Sequence, residues 1–445
     1  MNKETKIASK LKDLSLDKYC QVHGYSLREG GKVSAYGLIE GFFHWFNQGQ
    51  NSLSQWASQI GLILGITLSK QGLVQRLNTR TVNLCRALLE KALEQQAFKG
   101  LPSGLFEGFS AVYLEDSTCQ SLPAKLSAAF RGAYSKKLKQ LVATLRIQLC
   151  LELLSHRYRK IEIGSFSQND QSYAPEILQI LKPGNLVMRD LGYWGIRVFD
   201  QIGRLEAFFL SRYQPGVNLY NALTNEPIDL PTLLRKAKAA RQTQLDLRVL
   251  IGSEHRLEVR LIALLVPDRI SNQRRRKAKQ AAKTDARIKY SQDYFSLLDW
   301  NLLVTNVPDQ TWTPYQAYLA YQFRWRIEIC FKSWKSALNF KPLFQNKQSL
   351  TPEQVYIMLY LTLLWLVLFL TPWFSFFLHA IEQKYKRYLS LILFTRFARD
   401  HFSRLINAND LSELIPNVAA HAVHERRKRI SQVEWLFILQ NLALD

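Results

Sequence analysis

A long apolar segment limits the folds open to this chain more than any other feature. From Val355 to Ile381 the sequence contains no Asp, Glu, Lys or Arg. The segment is long enough to cross a bilayer, for which about 18 to 20 apolar residues suffice. However, Pro372 and His379 interrupt it, it stands alone, and Lys and Arg residues lie on both sides of it. These features favour a buried core helix over a membrane span, so we expect no membrane partner.

The charge balance indicates a polyanionic partner. The 445 residues include 59 Lys and Arg against 36 Asp and Glu, which gives a net charge of +23. This excess repels itself in the folded state unless a polyanion offsets it, and nucleic acid is the first candidate. The five cysteines form no CxxC pair, and Met1 to Lys12 lack the apolar region of a secretory signal. We therefore expect a cytoplasmic protein with reduced cysteines.

The hydrophobic pattern changes along the chain. Residues up to about Phe98 are predicted to be helical, and Leu53 to Leu77 contains two amphipathic stretches separated by a turn with glycine. These stretches fit a helix-turn-helix or an ordinary helical hairpin equally well. Four strands and a helix are predicted next, at Phe109–Leu114, Val142–Leu153, Tyr158–Gly164, Tyr173–Leu181 (the helix) and Leu186–Met188. Asp116 and Asp190 follow the first and the last strand, as expected of an α/β fold that binds ligands at strand ends.

A different region extends from about Gln214 to Trp300. It contains two strand-like pieces, Leu245–Ile251 and Leu257–Leu265, and then a strongly basic stretch from Arg269 to Lys289. The stretch is too charged to form a core, so it is either a solvated helix or an arm that binds phosphates. Its charge density favours the arm. The residues predicted to contact DNA there are Arg274, Arg275, Arg276 and Lys277.

The segment from Tyr315 to Phe340 combines several groups suited to phosphate chemistry. It contains no Gly or Pro, so a continuous helix is predicted. On that helix, one arc of about 60° carries a phenol, an acid and two cations, namely Tyr321, Arg324, Glu328 and Lys335. A carboxylate can anchor a divalent cation, while Arg and Lys neutralise phosphate oxygens. A surface helix with ordinary i,i+4 ion pairs would show the same pattern.

The order and spacing of these groups resemble a known family. The pattern Y-x2-R-x3-E-x6-K at Tyr321, Arg324, Glu328 and Lys335 resembles the YREK signature of the fourth insertion-sequence family of bacterial DDE transposases. The segments VYLEDST and VMRDLGYWG look like that family's first and second catalytic aspartate motifs. Leu191 departs from the basic or polar residue common in the second motif. The resemblance spans about Phe109 to Phe340.

This resemblance implies an α/β fold, in which a ribonuclease-H-like catalytic domain is interrupted by a mainly β insertion and flanked by helical N-terminal and C-terminal regions. The expected divisions are a DNA-end-binding region at 1–106, the catalytic domain at 107–213 and 301–382, the insertion with its basic arm at 214–300, and a basic C-terminal region at 383–445.

It further implies a metal-dependent reaction on DNA. Asp116, Asp190 and Glu328 would hold two Mg²⁺ ions, for which Mn²⁺ can substitute, while Tyr321, Arg324 and Lys335 would contact phosphates of the DNA end. The expected partners are the double-stranded terminal inverted repeats and target DNA, bound by a homodimer. The alternative is a non-catalytic, domesticated DNA-binding protein with the same fold.

Several further residues carry alternative interpretations. The segment DWNLLVTNVP resembles the end of the insertion in relatives that form hairpins, where a tryptophan stacks on a flipped base. Trp300 is thus either a stacking residue or a core residue at the start of a strand. Glu115 and Asp200 are predicted to be structural acids. The histidines without metal-ligand spacing are predicted to lie at the surface or near phosphates, namely His156, His401, His421 and His424.

Overall fold

Short polar side chains cap five of the six helices described in the N-terminal region. The structure is a computed structural model, and it describes residues 5–25, 33–49, 52–96, 104–135, 139–285, 289–338, 340, 344 and 350–424. The side chains of Thr5, Ser34, Ser52, Ser69 and Asn78 each accept a hydrogen bond from a first-turn N–H of the helix that follows. The helices are α1 (Lys6–Asp13), α2 (Leu16–Val22), α3 (Ala35–Asn47), α4 (Leu53–Leu64), α5 (Lys70–Val74) and α6 (Thr79–Gln95).

The two amphipathic stretches between Leu53 and Leu77 form α4 and the five-residue α5. Gly65 ends α4 with a φ of +65°, a conformation that costs glycine little. The α4 helix packs against α3 through Trp56, whose ring stacks on Trp45 at 5.5 Å between centroids. The predicted helices are confirmed, and a role in binding DNA stays a prediction.

The described strands form one ten-stranded mixed sheet that extends across the predicted insertion. Its order is β2-β3-β1-β5-β6-β10-β9-β8-β7, and β4 pairs with β3. The β1, β5 and β6 strands are parallel, whereas the other pairs are antiparallel. The strands are β1 (Ala111–Ser121), β2 (Arg131–Ser135), β3 (Gln140–Glu152), β4 (Arg157–Ser165), β5 (Asn185–Arg189), β6 (Phe208–Arg212), β7 (Leu219–Asn221), β8 (Gln244–Ile251), β9 (Leu257–Leu265) and β10 (Trp300–Thr305).

Helices occupy the connections between these strands. They are α7 (Asp170–Tyr173), α8 (Ile196–Arg204), α9 (Leu230–Ala239), α10 (Asp268–Thr284) and α11 (Gln292–Leu297). Together with the mixed sheet and the helical terminal regions, they confirm the predicted α/β fold class. The strands predicted at Leu245–Ile251 and Leu257–Leu265 are present as β8 and β9.

Two local predictions in the first half of the sheet are wrong. The first strand does not end before Asp116 but continues to Ser121, because its backbone remains paired with β3 as far as Thr144. The helix predicted at Tyr173–Leu181 is instead the four-residue α7 followed by a 3₁₀ helix, Ala174–Gln179. Pro175 has no N–H to continue the α-helical hydrogen bonds, which explains the change.

The helices after the sheet include the long apolar segment. They are α12 (Pro314–Gln322), α13 (Trp325–Ser336), α14 (Pro352–Trp365), α15 (Thr371–Tyr385), α16 (Leu391–Asp400), α17 (Phe402–Asn407) and α18 (Ile415–His421). Leu366–Leu370 forms a π-helical turn that joins α14 to α15. The turn stands just before Pro372, which cannot donate the next α-helical hydrogen bond.

The apolar segment forms a buried helix, as predicted. The 34-residue helical stretch Pro352–Tyr385 could cross a membrane by length and composition alone, but 83% of its most apolar window is buried inside the protein. Phe369 contacts Phe43 of α3 at 5.7 Å and Trp365 contacts Phe46 at 5.8 Å between ring centroids. The segment therefore joins the N-terminal helices and the sheet into one hydrophobic core.

Candidate active site

Two parallel strands place the candidate aspartates side by side. Glu115 of β1 is in register with Arg189 of β5, and the next residues along the chain are Asp116 and Asp190. Because successive side chains point to opposite faces of a sheet, both aspartates lie on the face opposite to Glu115 and Arg189. Asp116 lies in the middle of β1, whereas Asp190 directly follows β5.

The helical segment that carries the third acid is interrupted rather than continuous, which corrects the prediction for Tyr315–Phe340. It breaks at Phe323 and Arg324, between α12 and α13. At the break the N–H groups of Arg324 and Arg326 bond three residues back, at 3.1 and 2.8 Å, as in a 3₁₀ turn. The absence of Gly and Pro permits a continuous helix but does not enforce one.

The three acids converge around arginine side chains. Arg324 Nη1 lies 3.1 Å from Asp116 Oδ2, and its Nη2 lies 2.5 Å from Glu328 Oε1. Arg212 Nη2 lies 2.6 Å from Asp190 Oδ1. One guanidinium thus bridges two acids that are 212 residues apart in the chain, and a second guanidinium holds the remaining acid.

Arg212 joins this group of charged side chains, although no sequence motif predicts it. It ends β6, the strand next to β5, and its guanidinium reaches across to Asp190. A basic residue at the end of an apolar strand-like run is the signal that could have identified it, but its partner depends on the strand order.

The electrostatic environments of the two aspartates differ. Burial raises the pKa of Asp116 to about 6; Arg324 and the Ser117 N–H oppose this rise, whereas the charges of Asp190 and Glu328 add to it. Burial also acts to raise the pKa of Asp190, but Arg324 and Arg212 outweigh it and lower the pKa below its usual value. Asp116 therefore retains a proton at a higher pH than Asp190 does.

Tyr321 and Lys335 complete the predicted group. The Tyr321 hydroxyl donates to the Arg189 carbonyl oxygen at 3.2 Å, and burial raises the pKa of this phenol. Its ring centroid lies 6.0 Å from the Arg324 guanidinium carbon. Lys335 is exposed on α13 and makes no hydrogen bond or ion pair with the residues that the structure describes. Tyr321 is thus built into the site, whereas Lys335 remains accessible from solution.

The acids suit Mg²⁺ by chemistry but are not arranged as a metal centre. Carboxylate oxygens are the hard ligands that Mg²⁺ prefers. Among the described residues, however, no group of three or more His, Cys, Asp or Glu side chains is positioned to hold a metal ion. The two guanidiniums pair with the carboxylates instead.

The acids predicted to be structural occupy other positions. Glu115 lies on the opposite face of β1 and pairs with Arg189 at 2.6 Å, where both side chains are almost completely buried. Asp200 pairs with Arg204 at 2.8 Å and lies 3.2 Å from His255. Neither acid contacts the group around Arg324.

Trp300 lies in the hydrophobic core, which favours its interpretation as a core residue over base stacking. Its side chain is only 3% exposed and belongs to the apolar cluster on the insertion side of the sheet. Arg274 fixes the backbone here, because its guanidinium donates to the Trp300 carbonyl oxygen at 3.0 Å. A base could reach the indole only if this core opened.

The structure favours the helix over the arm for the basic stretch, because residues 268–284 form the regular helix α10. Arg274 is bound to the backbone at β10, and Arg275 pairs with Asp299 at 2.6 Å. These two cations hold the helix against the sheet. Arg276 and Lys277 are exposed on the same helix, so the predicted contacts with DNA remain open to them.

One of the four histidines is not at the surface. His156 is partly buried in the turn between β3 and β4, where burial and the nearby Arg326 lower its pKa to about 3. The other three, His401, His421 and His424, are exposed. None of the four contacts the acids around Arg324.

Comparison with known proteins confirms the predicted resemblance to insertion-sequence DDE transposases. The family model described as "Transposase DDE domain" matches residues 107–368. The transposase for insertion sequence element IS231B of Bacillus thuringiensis subsp. berliner is 26% identical over 399 residues, which cover 84% of this chain and 81% of that protein. The transposase for IS1151 of Clostridium perfringens is 26% identical over 358 residues, covering 76% and 75%.

Among solved structures, the piggyBac transposase synaptic complex with hairpin DNA aligns with 95% of this chain and 85% of that one. The TM-score is 0.43 and the sequence identity is 10%. This likeness is too distant to support a conclusion about the site.

Proposed function

This chain belongs to the family of transposase DDE domains, and we propose that it cleaves the ends of an insertion sequence and joins the freed 3′-hydroxyls to target DNA. The observation that supports this proposal is the convergence of Asp116, Asp190 and Glu328 around Arg324. These acids come from β1, from the end of β5 and from α13, so the fold itself assembles them.

The three carboxylates would hold the metal ions. When bound, two Mg²⁺ ions would activate the attacking oxygen and stabilise the leaving oxygen of the phosphodiester. The protein's own task would be to hold the DNA end, with Arg324, Lys335 and Tyr321 contacting its phosphates. A water molecule attacks in the first step and the 3′-hydroxyl in the second, so no covalent protein intermediate is required.

The proposed partners follow from this activity and from the charge. A net charge of +23 suits the binding of long double-stranded DNA, with terminal inverted repeats and target DNA bound by a homodimer. The protein would act in the cytoplasm. The division into regions 1–106, 107–213, 214–300, 301–382 and 383–445 is part of the same proposal.

The test uses DNA that carries the inverted repeats flanking the gene. Single substitutions Asp116→Asn, Asp190→Asn and Glu328→Gln should abolish Mg²⁺-dependent cleavage, because each removes one carboxylate while keeping its size. Affinity for the DNA should change by less than about twofold, since metal ligation is the assigned task. The exposed Glu226→Gln variant, far from the site along the sheet, should cleave normally.

The outcome separates the alternatives. If a variant still cleaves the DNA, the substituted residue does not belong to the catalytic site. A wild-type protein that binds the repeats but never cleaves them identifies a domesticated DNA-binding protein. Cleavage without joining of the 3′ ends to a target plasmid identifies a simple nuclease.

A further inference from the structure

Arg326 differs from the other buried arginines in the described part of the chain. Five arginines are buried there, and four of them pair with carboxylates, namely Arg146 with Asp170, Arg189 with Glu115, Arg260 with Asp246 and Arg324 with Asp116 and Glu328. Arg326 is only 6% exposed, yet its side chain makes no ion pair or hydrogen bond with any residue that the structure describes. Its charge is therefore shielded from water without a counter-charge from these residues.

A small cavity of about 20 Å³ lies beside this side chain. Its polar lining comprises Arg326 and Cys330 from α13, His156 from the turn between β3 and β4, Tyr158 from β4 and Thr371 from α15. The rest of the lining is apolar, and no aspartate or glutamate belongs to it. The cavity therefore joins a buried guanidinium to several neutral donors.

The net charge of this cavity is a single positive charge. A guanidinium keeps its proton at every pH at which proteins fold. Burial and the nearby Arg326 lower the pKa of His156 to about 3, so its ring is neutral at pH 7. Phenols and thiols are also protonated and uncharged at that pH. Because an isolated charge is strongly disfavoured away from water, one negative charge would stabilise the folded protein.

The size of the cavity limits what can supply that charge. A site needs roughly 10 to 15 Å³ to hold one water molecule, so a cavity of about 20 Å³ has room for one small species. A phosphate or sulfate group has five heavy atoms and is too large, and it carries more charge than one guanidinium offsets. A halide ion is a single atom with a single charge, and it accepts hydrogen bonds from guanidinium and imidazole N–H groups.

We propose that Arg326 and His156 form a buried binding site for one halide ion of the size of chloride. The ion would neutralise Arg326 and hold the turn between β3 and β4 against α13 and α15. Arg326 is two residues from Glu328, which places it about 200° away around the helix. The halide site thus lies apart from the acids around Arg324, and the inference does not depend on the proposed function.

The experiment compares thermal unfolding of the full chain, without DNA, in sodium chloride and in sodium gluconate at equal ionic strength. Gluconate is too large for the cavity. When chloride exceeds its dissociation constant about tenfold, the equilibrium constant for folding should rise about elevenfold. For a chain of this length, this raises the Tm by about 1 to 2 °C. Bromide should have the same effect as chloride, and an equal Tm in all three salts would overturn the inference.

Matched variants separate this site from the generally basic surface. Arg326→Gln should have the same Tm in chloride and in gluconate, because it removes the charge that the halide neutralises. Lys332→Gln removes an exposed cation from the same helix and should keep the full response to chloride. If Arg326→Gln responds as strongly as wild type, or if Lys332→Gln also loses the response, chloride acts on the protein surface and the inference is wrong.

A direct measurement covers the case in which Arg326→Gln does not fold. Wild-type crystals soaked in sodium bromide should show an anomalous difference peak in the cavity, at hydrogen-bonding distance from the guanidinium of Arg326. If bromide peaks appear only at the protein surface, or if a carboxylate occupies the cavity instead, no halide site exists there and the inference is overturned.

Discussion

Two acid–arginine groups lie on opposite faces of the same pair of strands, and they differ mainly in burial. On one face, Glu115 and Arg189 are 2% and 0% exposed and pair only within the protein. On the other face, the side chains of Asp116, Asp190 and Glu328 are 19%, 32% and 37% exposed and share two arginines. Adjacent residues of one strand therefore enter very different environments.

The difference separates a fully buried ion pair from a partly exposed one. A buried charge that loses its partner cannot regain water, so the pair of Glu115 and Arg189 is effectively permanent. The carboxylates on the other face are partly exposed to solvent, so water can replace part of the ion-pair contact when one of them is changed. The chemistry of the side chains is the same on both faces, and solvent access determines what each group can do.

The largest effect is expected from a substitution that breaks the buried pair. Glu115→Ala leaves Arg189 as an unpaired buried cation, and it should lower the free energy of unfolding by about 3 to 5 kcal/mol. Glu328→Ala, on the accessible face, should lower it by less than about 1 kcal/mol. Chemical denaturation of both variants measures this contrast.

A double variant controls for the charge. Glu115→Leu combined with Arg189→Met removes both members and should recover most of the stability, because apolar residues can replace a buried pair. Equal destabilisation by Glu115→Ala and Glu328→Ala would remove the distinction between the two faces.

A smaller effect should depend on pH. The pKa of Asp116 is raised to about 6 in the folded protein, so folding favours its protonated form, and this contribution to stability is lost as the pH rises through 6. Between pH 5 and pH 7.5, the free energy of unfolding of metal-free wild type should fall by roughly 1.4 kcal/mol relative to that of Asp116→Asn, because Asn cannot titrate. Thermal or denaturant unfolding at both pH values, with EDTA present, measures this difference. If the difference in free energy of unfolding between the two proteins did not change with pH, the pKa of Asp116 would not be raised in the folded protein.

The smallest effect on stability is expected in the basic helix, where paired and exposed cations again lie side by side. Replacing Arg276 and Lys277 with Gln should leave unfolding unchanged but flatten the slope of log K against log salt by about 0.9 for each phosphate that the protein no longer neutralises. Replacing Arg274 and Arg275 with Gln should instead lower stability, because both hold α10 against β10. If the salt slope did not change in the first variant, Arg276 and Lys277 would not contact DNA phosphates.

Much of the site could be predicted because its motifs are local. The spacing of Tyr321, Arg324 and Glu328 places them on neighbouring turns, and the interruption between α12 and α13 does not separate them. Asp116 and Asp190 stand beside apolar runs that the sequence makes visible, although the first run continues past its aspartate in the structure. The burial of the segment from Val355 to Ile381 could also be predicted, since it contains no charge that would need water.

The sequence by itself therefore determined the α/β class and the buried apolar helix, because each depends on residue types within short stretches. The three acids remain a prediction from their motifs. Only the tertiary structure decided that Arg212 reaches Asp190, that Trp300 lies in the core and that Arg274 and Arg275 anchor a helix. The physical reason is that these contacts depend on which strands and helices become neighbours. Strand order is set by the packing of the whole sheet, and no local pattern around these residues encodes it.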